Sequence, residues 1–188
     1  MSNLKLIVIS APSGTGKTSV IKEILKIYKD KIIFSISATT RPQRPDEING
    51  VDYYFISKEE FEQKIKNNEF IEWEKIYDYY YGTPKSEIER AKKLNKHLLF
   101  ELDVKGSLSL KKLFKEAVTI FMIPPSLEEL EKRLKKRNTE TPEDFIKRME
   151  RAKMEIEMAK LFDYQVMNDK LERAVEEVNN IIQKIIEN

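Results

Sequence analysis

The chain has 188 residues, 40% of them hydrophobic and 35% charged, with 34 basic against 32 acidic side chains and a formal net charge of +2. That length allows one domain with a proper core, and the even charge balance argues against general nucleic-acid binding. There is no cysteine and one histidine, His97, so disulfides, zinc–thiolate sites and thiol nucleophiles are excluded, and histidine metal clusters and most Ser-His-Asp chemistry fall with that count.

Catalysis is left to carboxylates, hydroxyls, lysine, arginine and backbone. No run approaches the roughly 18 apolar residues of a membrane span. The apolar stretch Leu6 to Ile9 is too short for a signal core. The expected setting is cytoplasmic, with no membrane and no nucleic-acid partner. Only eight of the basic residues are arginine, so each arginine is informative.

In chain order, residues 4–9 are a short β-branched run that predicts a buried strand ending in a loop. Val20, Ile21, Ile24, Leu25 and Tyr28 fall at helical spacing over 18–28. Residues 37–83 turn polar, Pro-rich and Tyr-rich; strands are expected at 53–56 and 70–77, flanking a short helix capped at Ser57. Residues 97–102 and 118–123 are further buried-strand candidates. Ser126 with Glu129 three residues on predicts a capping box. Thr141-Pro142-Glu143-Asp144 predicts another helix start, whose apolar face is Phe145, Met149, Ala152, Ile156 and Ala159. Residues 164–167 read as a last strand, and 171–186 as an amphipathic helix through Val175, Val178, Ile182 and Ile185. Strands alternating with helices predict an α/β fold, a parallel sheet flanked by helices. The expected organisation is a single domain with core 1–36 and 84–188 and a small inserted lobe, 37–83. His97, just before a buried strand, has a structural reading.

Ala11-Pro12-Ser13-Gly14-Thr15-Gly16-Lys17-Thr18 joins a predicted strand to a predicted helix and matches the P-loop pattern except for Ala11 in place of the first glycine. Gly14 and Gly16 let backbone N–H groups turn inward around phosphate oxygens. The helix N-terminus adds partial positive charge. Lys17 reaches the β- and γ-phosphates, and the Thr18 hydroxyl can ligate Mg²⁺. This motif names a nucleoside triphosphate but not a reaction. The strand 98–103 ends in Glu101 and Asp103, candidate carboxylates for magnesium or substrate. Asp103-Val104-Lys105-Gly106 also fits the DxxG pattern of GTPases, but no Asn-Lys-x-Asp guanine reader follows: Asn95-Lys96 leads into His97-Leu98. Arg41 and Arg44, three apart in a Pro-stiffened loop, suit a phosphate dianion. A solvated turn is the alternative reading of that loop.

Taken together these segments resemble the guanylate kinase family over nearly the whole chain, from Leu4 to about Ile182. The carrying stretches are the loop at Ala11, Thr39-Thr40-Arg41-x-x-Arg44, Glu47 to Phe55, Glu69-Phe70-Ile71-Glu72-Trp73, Tyr80-Tyr81-Gly82-Thr83, Pro124-Pro125-Ser126 and Val166-Met167-Asn168-Asp169. The resemblance implies transfer of the ATP γ-phosphoryl group to GMP, with Mg²⁺, a P-loop NTPase-type sheet, a nucleotide-binding inserted lobe and a lid at about 134–148. It implies that Arg41, Arg44, Tyr53 and Tyr81 hold the GMP phosphate. Glu72 and Asp103 become the guanine readers, because guanine presents N1–H and N2–H₂ donors that carboxylates accept. Ser37 and Thr83 would serve the O6 side. Lys17, Arg133, Arg137 and Arg148 would act on the transferring phosphoryl, and Asn168 would lie near the adenine. The departures are Glu101 where Asp is common, Lys105 where Gln is common, and Asn138 and Pro142 in the lid. Two alternatives stand beside this reading: a non-catalytic binding module of the same family, and a kinase of another phosphorylated ribose. The chain is expected to act as a monomer or homodimer.

Overall fold

The computed structural model describes residues 4–76, 78–135 and 142–187, the last stretch with side chains from residue 145 on. Tyr77, Arg137, Asn138 and the Thr141 cap lie outside the described residues. The main sheet has strand order β2-β7-β1-β8-β9, built from β1 (Leu6–Ser10), β2 (Ile32–Phe34), β7 (His97–Glu101), β8 (Val118–Ile123) and β9 (Tyr164–Met167). Every pairing in it is parallel. The inner strands β1, β7 and β8 are covered on both faces, which is why they read as near-continuous apolar runs, whereas edge strand β9 buries only Val166.

Strand periodicity divides the core into two layers. Ile7, Ile9, Leu99, Ile120 and Met122 face one side, against α1 (Lys17–Ile27) and α7 (Leu171–Glu187) through Ile21, Ile24, Val178 and Ile182. Leu6, Val8, Leu98 and Phe100 face the other, against α3 (Ser86–Lys93) and α4 (Val104–Leu113) through Ile88, Ala91 and Leu110. A third group packs Val104 and Phe121 on Ala159 and Phe162. The last two follow α6 (Pro142–Glu157), which continues into a 3₁₀ turn at Met158–Leu161. Helix α5 (Leu127–Lys135) begins with the Glu129 N–H donating to Ser126 Oγ at 3.1 Å. The reciprocal half of the expected box is replaced by an ion pair, since the Glu129 carboxylate accepts from Arg133 Nε at 3.0 Å.

Between β2 and α3 the chain builds a second sheet, order β4-β3-β6-β5. Its strands are β3 (Ala38–Thr39), β4 (Tyr54–Phe55), β5 (Phe70–Ile76) and β6 (Tyr79–Pro84), with α2 (Lys58–Lys66) capped by Ser57. Phe61 of α2 stacks on Phe70 and Tyr80 at centroid distances of 4.4 and 5.2 Å, giving this sheet a small core of its own. The junction with the main sheet is polar. Glu87, 1% exposed, accepts from the Ile36 N–H at 2.7 Å and the Tyr54 hydroxyl at 2.9 Å. Arg90 pairs with Glu87 and also donates to the Phe34 carbonyl. A buried charge is tolerated only when satisfied in this way.

Strands β2, β3 and β6 and helices α3 and α4 carried no distinct sequence expectation. Strands of two or three residues give no period, β6 reads as a tyrosine cluster, and α3 offers only Ile88 and Ala91 as buried apolar residues. No helix among the described residues is long and apolar enough to cross a membrane.

Candidate active site

Residues 11–16 connect β1 to α1. Gly14 and Gly16 have φ of +90° and +92°, the left-handed region that side chains avoid. Space also excludes a side chain there. A Cβ on Gly16 would lie 2.8 Å from Asn168 Nδ2, and one on Gly14 would lie 2.9 Å from Leu134 Cδ2. The loop is therefore held from outside. Asn168, 5% exposed, donates from Nδ2 to the Thr15 carbonyl at 2.6 Å. Arg133 donates to the Thr15 and Asn168 carbonyls, both at 3.3 Å. Asn168 and Arg133 thereby secure the phosphate loop's backbone, beside the roles the resemblance implies for them near the adenine and on the transferring phosphoryl. Lys17 Nζ lies 3.5 Å from Glu101 Oε1, and Thr18 Oγ1 lies 3.4 Å from the same oxygen.

On the second sheet's side, Arg41 forms a two-pronged pair with Glu47, NH1 to Oε2 at 3.0 Å and NH2 to Oε1 at 2.7 Å. The pair raises the proton affinity of the guanidinium and holds the Glu47 carboxyl below its ordinary value, mainly through these hydrogen bonds. Arg41 also stands over the Tyr53 and Phe55 rings, 5.6 Å from each centroid, and Tyr53 meets Tyr81 edge-on at 6.2 Å. Arg44 is exposed, and its N–H donates to Glu47 Oε2 at 2.8 Å. Glu47 thus holds the Arg41 guanidinium and the Arg44 backbone. Ser37 lines the same cavity as Tyr53 and Glu47.

Glu72 and Asp103 converge around Gly106. A Cβ there would be 3.2 Å from both Asp103 Oδ1 and Glu72 Oε2. Asp103 caps α4, accepting from the Gly106 N–H at 2.7 Å. Glu72 Oε1 accepts from Thr83 Oγ1 at 2.6 Å. Thr83 is fully buried, and its hydroxyl proton goes to Glu72. Burial, with the Asp103 and Glu74 charges adding to it against the Thr83 bond, pushes Glu72 up to about 7. Arg151 of α6 donates to Asp103 Oδ2 at 2.9 Å and to Glu155 Oε1 at 2.8 Å. Neither Gly106 nor Arg151 was assigned a role from sequence: the glycine was absorbed into a GTPase pattern, and the arginine into a helix rich in charge.

Some of these groups line two cavities, whereas Arg41, Arg44, Glu72, Tyr81 and Thr83 line neither. One, of about 600 Å³, runs from the phosphate loop to Arg148 and Arg151. The other, of about 500 Å³, runs past Phe34 and Ser37 to Tyr53. Lys17, Thr18, Glu101 and Asp103 line both, so the P-loop lysine stands where the two meet. Expected site residue Arg137 lies outside the described residues. His97 takes no part; its Nδ1 accepts from the Lys5 N–H at 3.1 Å, and burial, with Lys5 and Lys31 nearby, lowers its proton affinity.

A sequence model of a family described as guanylate kinase matches residues 3–185. The chain is 49% identical over 177 residues to the guanylate kinase of Clostridium tetani, covering 94% of this chain and 84% of that one. It is 48% identical over 184 residues to the guanylate kinase of Porphyromonas gingivalis, covering 97% and 98%. Among solved structures it matches the crystal structure of guanylate kinase from Anaplasma phagocytophilum with a TM-score of 0.76 at 29% identity, over 98% of this chain and 87% of that one.

Proposed function

The chain belongs to the guanylate kinase family, and from that premise we propose that it transfers the γ-phosphoryl group of ATP to GMP, giving ADP and GDP. The observation that carries the reading is the meeting of two cavities at Lys17 and Thr18. A donor nucleotide on the phosphate loop and an acceptor beside Tyr53 and Arg41 would face each other across the P-loop lysine.

The nucleophile is an oxygen of the GMP phosphate. Its second pKa is about 6, so it is a dianion at neutral pH without a general base. A bond forms from that oxygen to Pγ as the bond from Pγ to the ADP oxygen breaks, and the electron pair leaves with ADP. Lys17 and Arg148, with Arg137 and Arg133, are proposed to neutralise charge on the transferring group. Arg41, Arg44, Tyr53 and Tyr81 are proposed to hold the acceptor phosphate, and Glu72 and Asp103 to accept from guanine. The proposed acceptor lobe is 37–83, set on a core of 1–36 and 84–188 with a lid at about 134–148.

Among the described residues no cluster of three or more acids or histidines forms a metal site. The Thr18 hydroxyl and the Glu101 carboxylate instead meet beside the loop. That sparse, all-oxygen set suits Mg²⁺, which takes most of its ligands from nucleotide phosphates and water. Thr18 and Glu101 would hold it, and the ion would offset phosphate charge. The proposed partners are ATP and GMP, the proposed setting is the cytoplasm, and the proposed state is monomer or homodimer.

A coupled assay with Mg-ATP and GMP, AMP or UMP tests this. Turnover is expected with GMP and at most weakly with the others. Lys17→Ala should lower kcat about 10³-fold while changing GMP binding little, because its charge acts mainly in the transition state. Equal turnover of all three acceptors, or a fully active Lys17 variant, would overturn the reading.

A further inference from the structure

We infer that Arg151 is a positioning residue for recognition of the acceptor base: its guanidinium aims the Asp103 carboxylate into the cleft and ties α6 to the base pocket. The inference rests on the proposed role of Asp103 as a guanine acceptor.

One side chain here joins three parts of the molecule. Arg151 belongs to α6, its NH2 group reaches Asp103 Oδ2 at 2.9 Å at the start of α4, and Glu74 Oε2 of β5 lies 3.9 Å away. Its Nε is fixed on Glu155 Oε1 at 2.8 Å, one helical turn further along α6. Asp103 is thus held from two sides, by the Gly106 N–H on Oδ1 and by Arg151 on Oδ2. A carboxylate has two free torsions, and both must be set before it can present a lone pair to a flat base edge. The capping bond alone holds one oxygen; the arginine holds the other.

Charge supports the same role. Glu72, Glu74, Asp103 and Glu155 come together from β5, the core and α6, and Glu72, Glu74 and Glu155 have raised proton affinities, with burial the largest cause. The cations around them are Lys17, Lys105, Lys147, Arg148 and Arg151. Arg151 pairs with Asp103, Glu74 and Glu155. Without it, Asp103 would keep the Gly106 N–H on Oδ1 but lose the cation that holds Oδ2. A guanidinium forked between two carboxylates is also poorly placed to serve phosphate, since it would have to break both pairs first.

The test uses the full chain with Arg151→Met, Arg151→Lys, Asp103→Asn and the double variant Arg151→Met/Asp103→Asn. Steady-state rates are measured with GMP and AMP as acceptors and with ATP varied separately. Arg151→Met should raise the GMP KM about tenfold, the equivalent of one charge-assisted hydrogen bond. The kcat and the ATP KM should stay within about threefold, and kcat/KM for AMP should not fall. Arg151→Lys keeps the charge without the fork and should lie between; it carries the comparison where the Met variant does not fold. The double variant should be no worse than Asp103→Asn alone, because both changes act through one carboxylate. Additive losses, equal losses with both acceptors, or a loss on the ATP side would overturn the inference. If Asp103→Asn itself leaves the GMP KM unchanged, the base-reading role of Asp103 fails; if it is impaired while Arg151→Met behaves as wild type, only the inference fails.

Discussion

A carboxylate recognises guanine only in its ionised form, so the environment of Glu72 has a consequence for pH. Burial holds this group up at about 7, and guanine's donors stabilise the charged form. As the pH falls through 7, Glu72 takes up a proton and loses its acceptor function, and GMP binding must then release that proton. The kcat/KM for GMP should decline by up to about tenfold per pH unit below 7. The GMP phosphate, with its second pKa at about 6, adds to the decline only further down. Glu72→Gln should abolish the slope between pH 6.5 and 7.5 and lower kcat/KM about tenfold to a hundredfold, since its amide N–H₂ would face a donor at a cost of roughly 1–3 kcal/mol. Identical pH profiles for the variant and wild type would remove Glu72 from base recognition.

At the scale of elements, α4 gives up helix propensity to seat two carboxylates. Gly106 lies in its first turn, where alanine would favour the helix by about 1 kcal/mol. A methyl group there would stand 3.2 Å from an oxygen of Asp103 and 3.2 Å from an oxygen of Glu72, so one or both carboxylates must yield. Gly106→Ala should therefore leave the melting temperature unchanged or slightly raised, while the GMP KM rises several-fold and the ATP KM holds. Thermal melts beside steady-state kinetics would check this, and a stability loss with normal KM would contradict it. The phosphate loop shows the same dependence on other elements. Its shape comes from Gly14 and Gly16, but Asn168 after β9 and Arg133 on α5 hold its carbonyls. Both were singled out in the sequence, yet spacing alone could not show that they contact the loop.

Across the whole molecule, the second sheet joins the main one through two short crossings, 35–37 and 84–86. The Glu87 network ties both to Tyr54. The groups proposed for the donor sit on the main sheet and those proposed for the acceptor largely on the second, so neither half would complete the site. Closure over both nucleotides would also exclude the water that could otherwise hydrolyse ATP. GMP with a non-hydrolysable ATP analogue should compact the protein, read as a smaller radius of gyration in small-angle scattering. Either nucleotide alone should give less compaction, and an unchanged radius with both bound would count against closure.

Much of this protein was determined locally and so was legible in sequence. The P-loop, the buried run at 118–123, the strand at 164–167, the Ser57 cap and the α/β alternation depend on residues close together in the chain. Backbone sterics, capping and hydrophobic period act over that range. Glu72 and Asp103, the proposed guanine readers, come from family resemblance, because nothing in their immediate neighbourhood distinguishes them from surface acids. The tertiary structure alone decided that Thr83 serves Glu72, that Glu47 holds Arg41, that Gly106 makes room for two carboxylates and that Arg151 reaches Asp103. It also decided the short strands β2 and β3, which exist only because a neighbouring strand supplies their hydrogen bonds. Such features come from groups far apart in sequence meeting in a low-dielectric cleft, where charge and hydrogen-bond satisfaction are set by position in space.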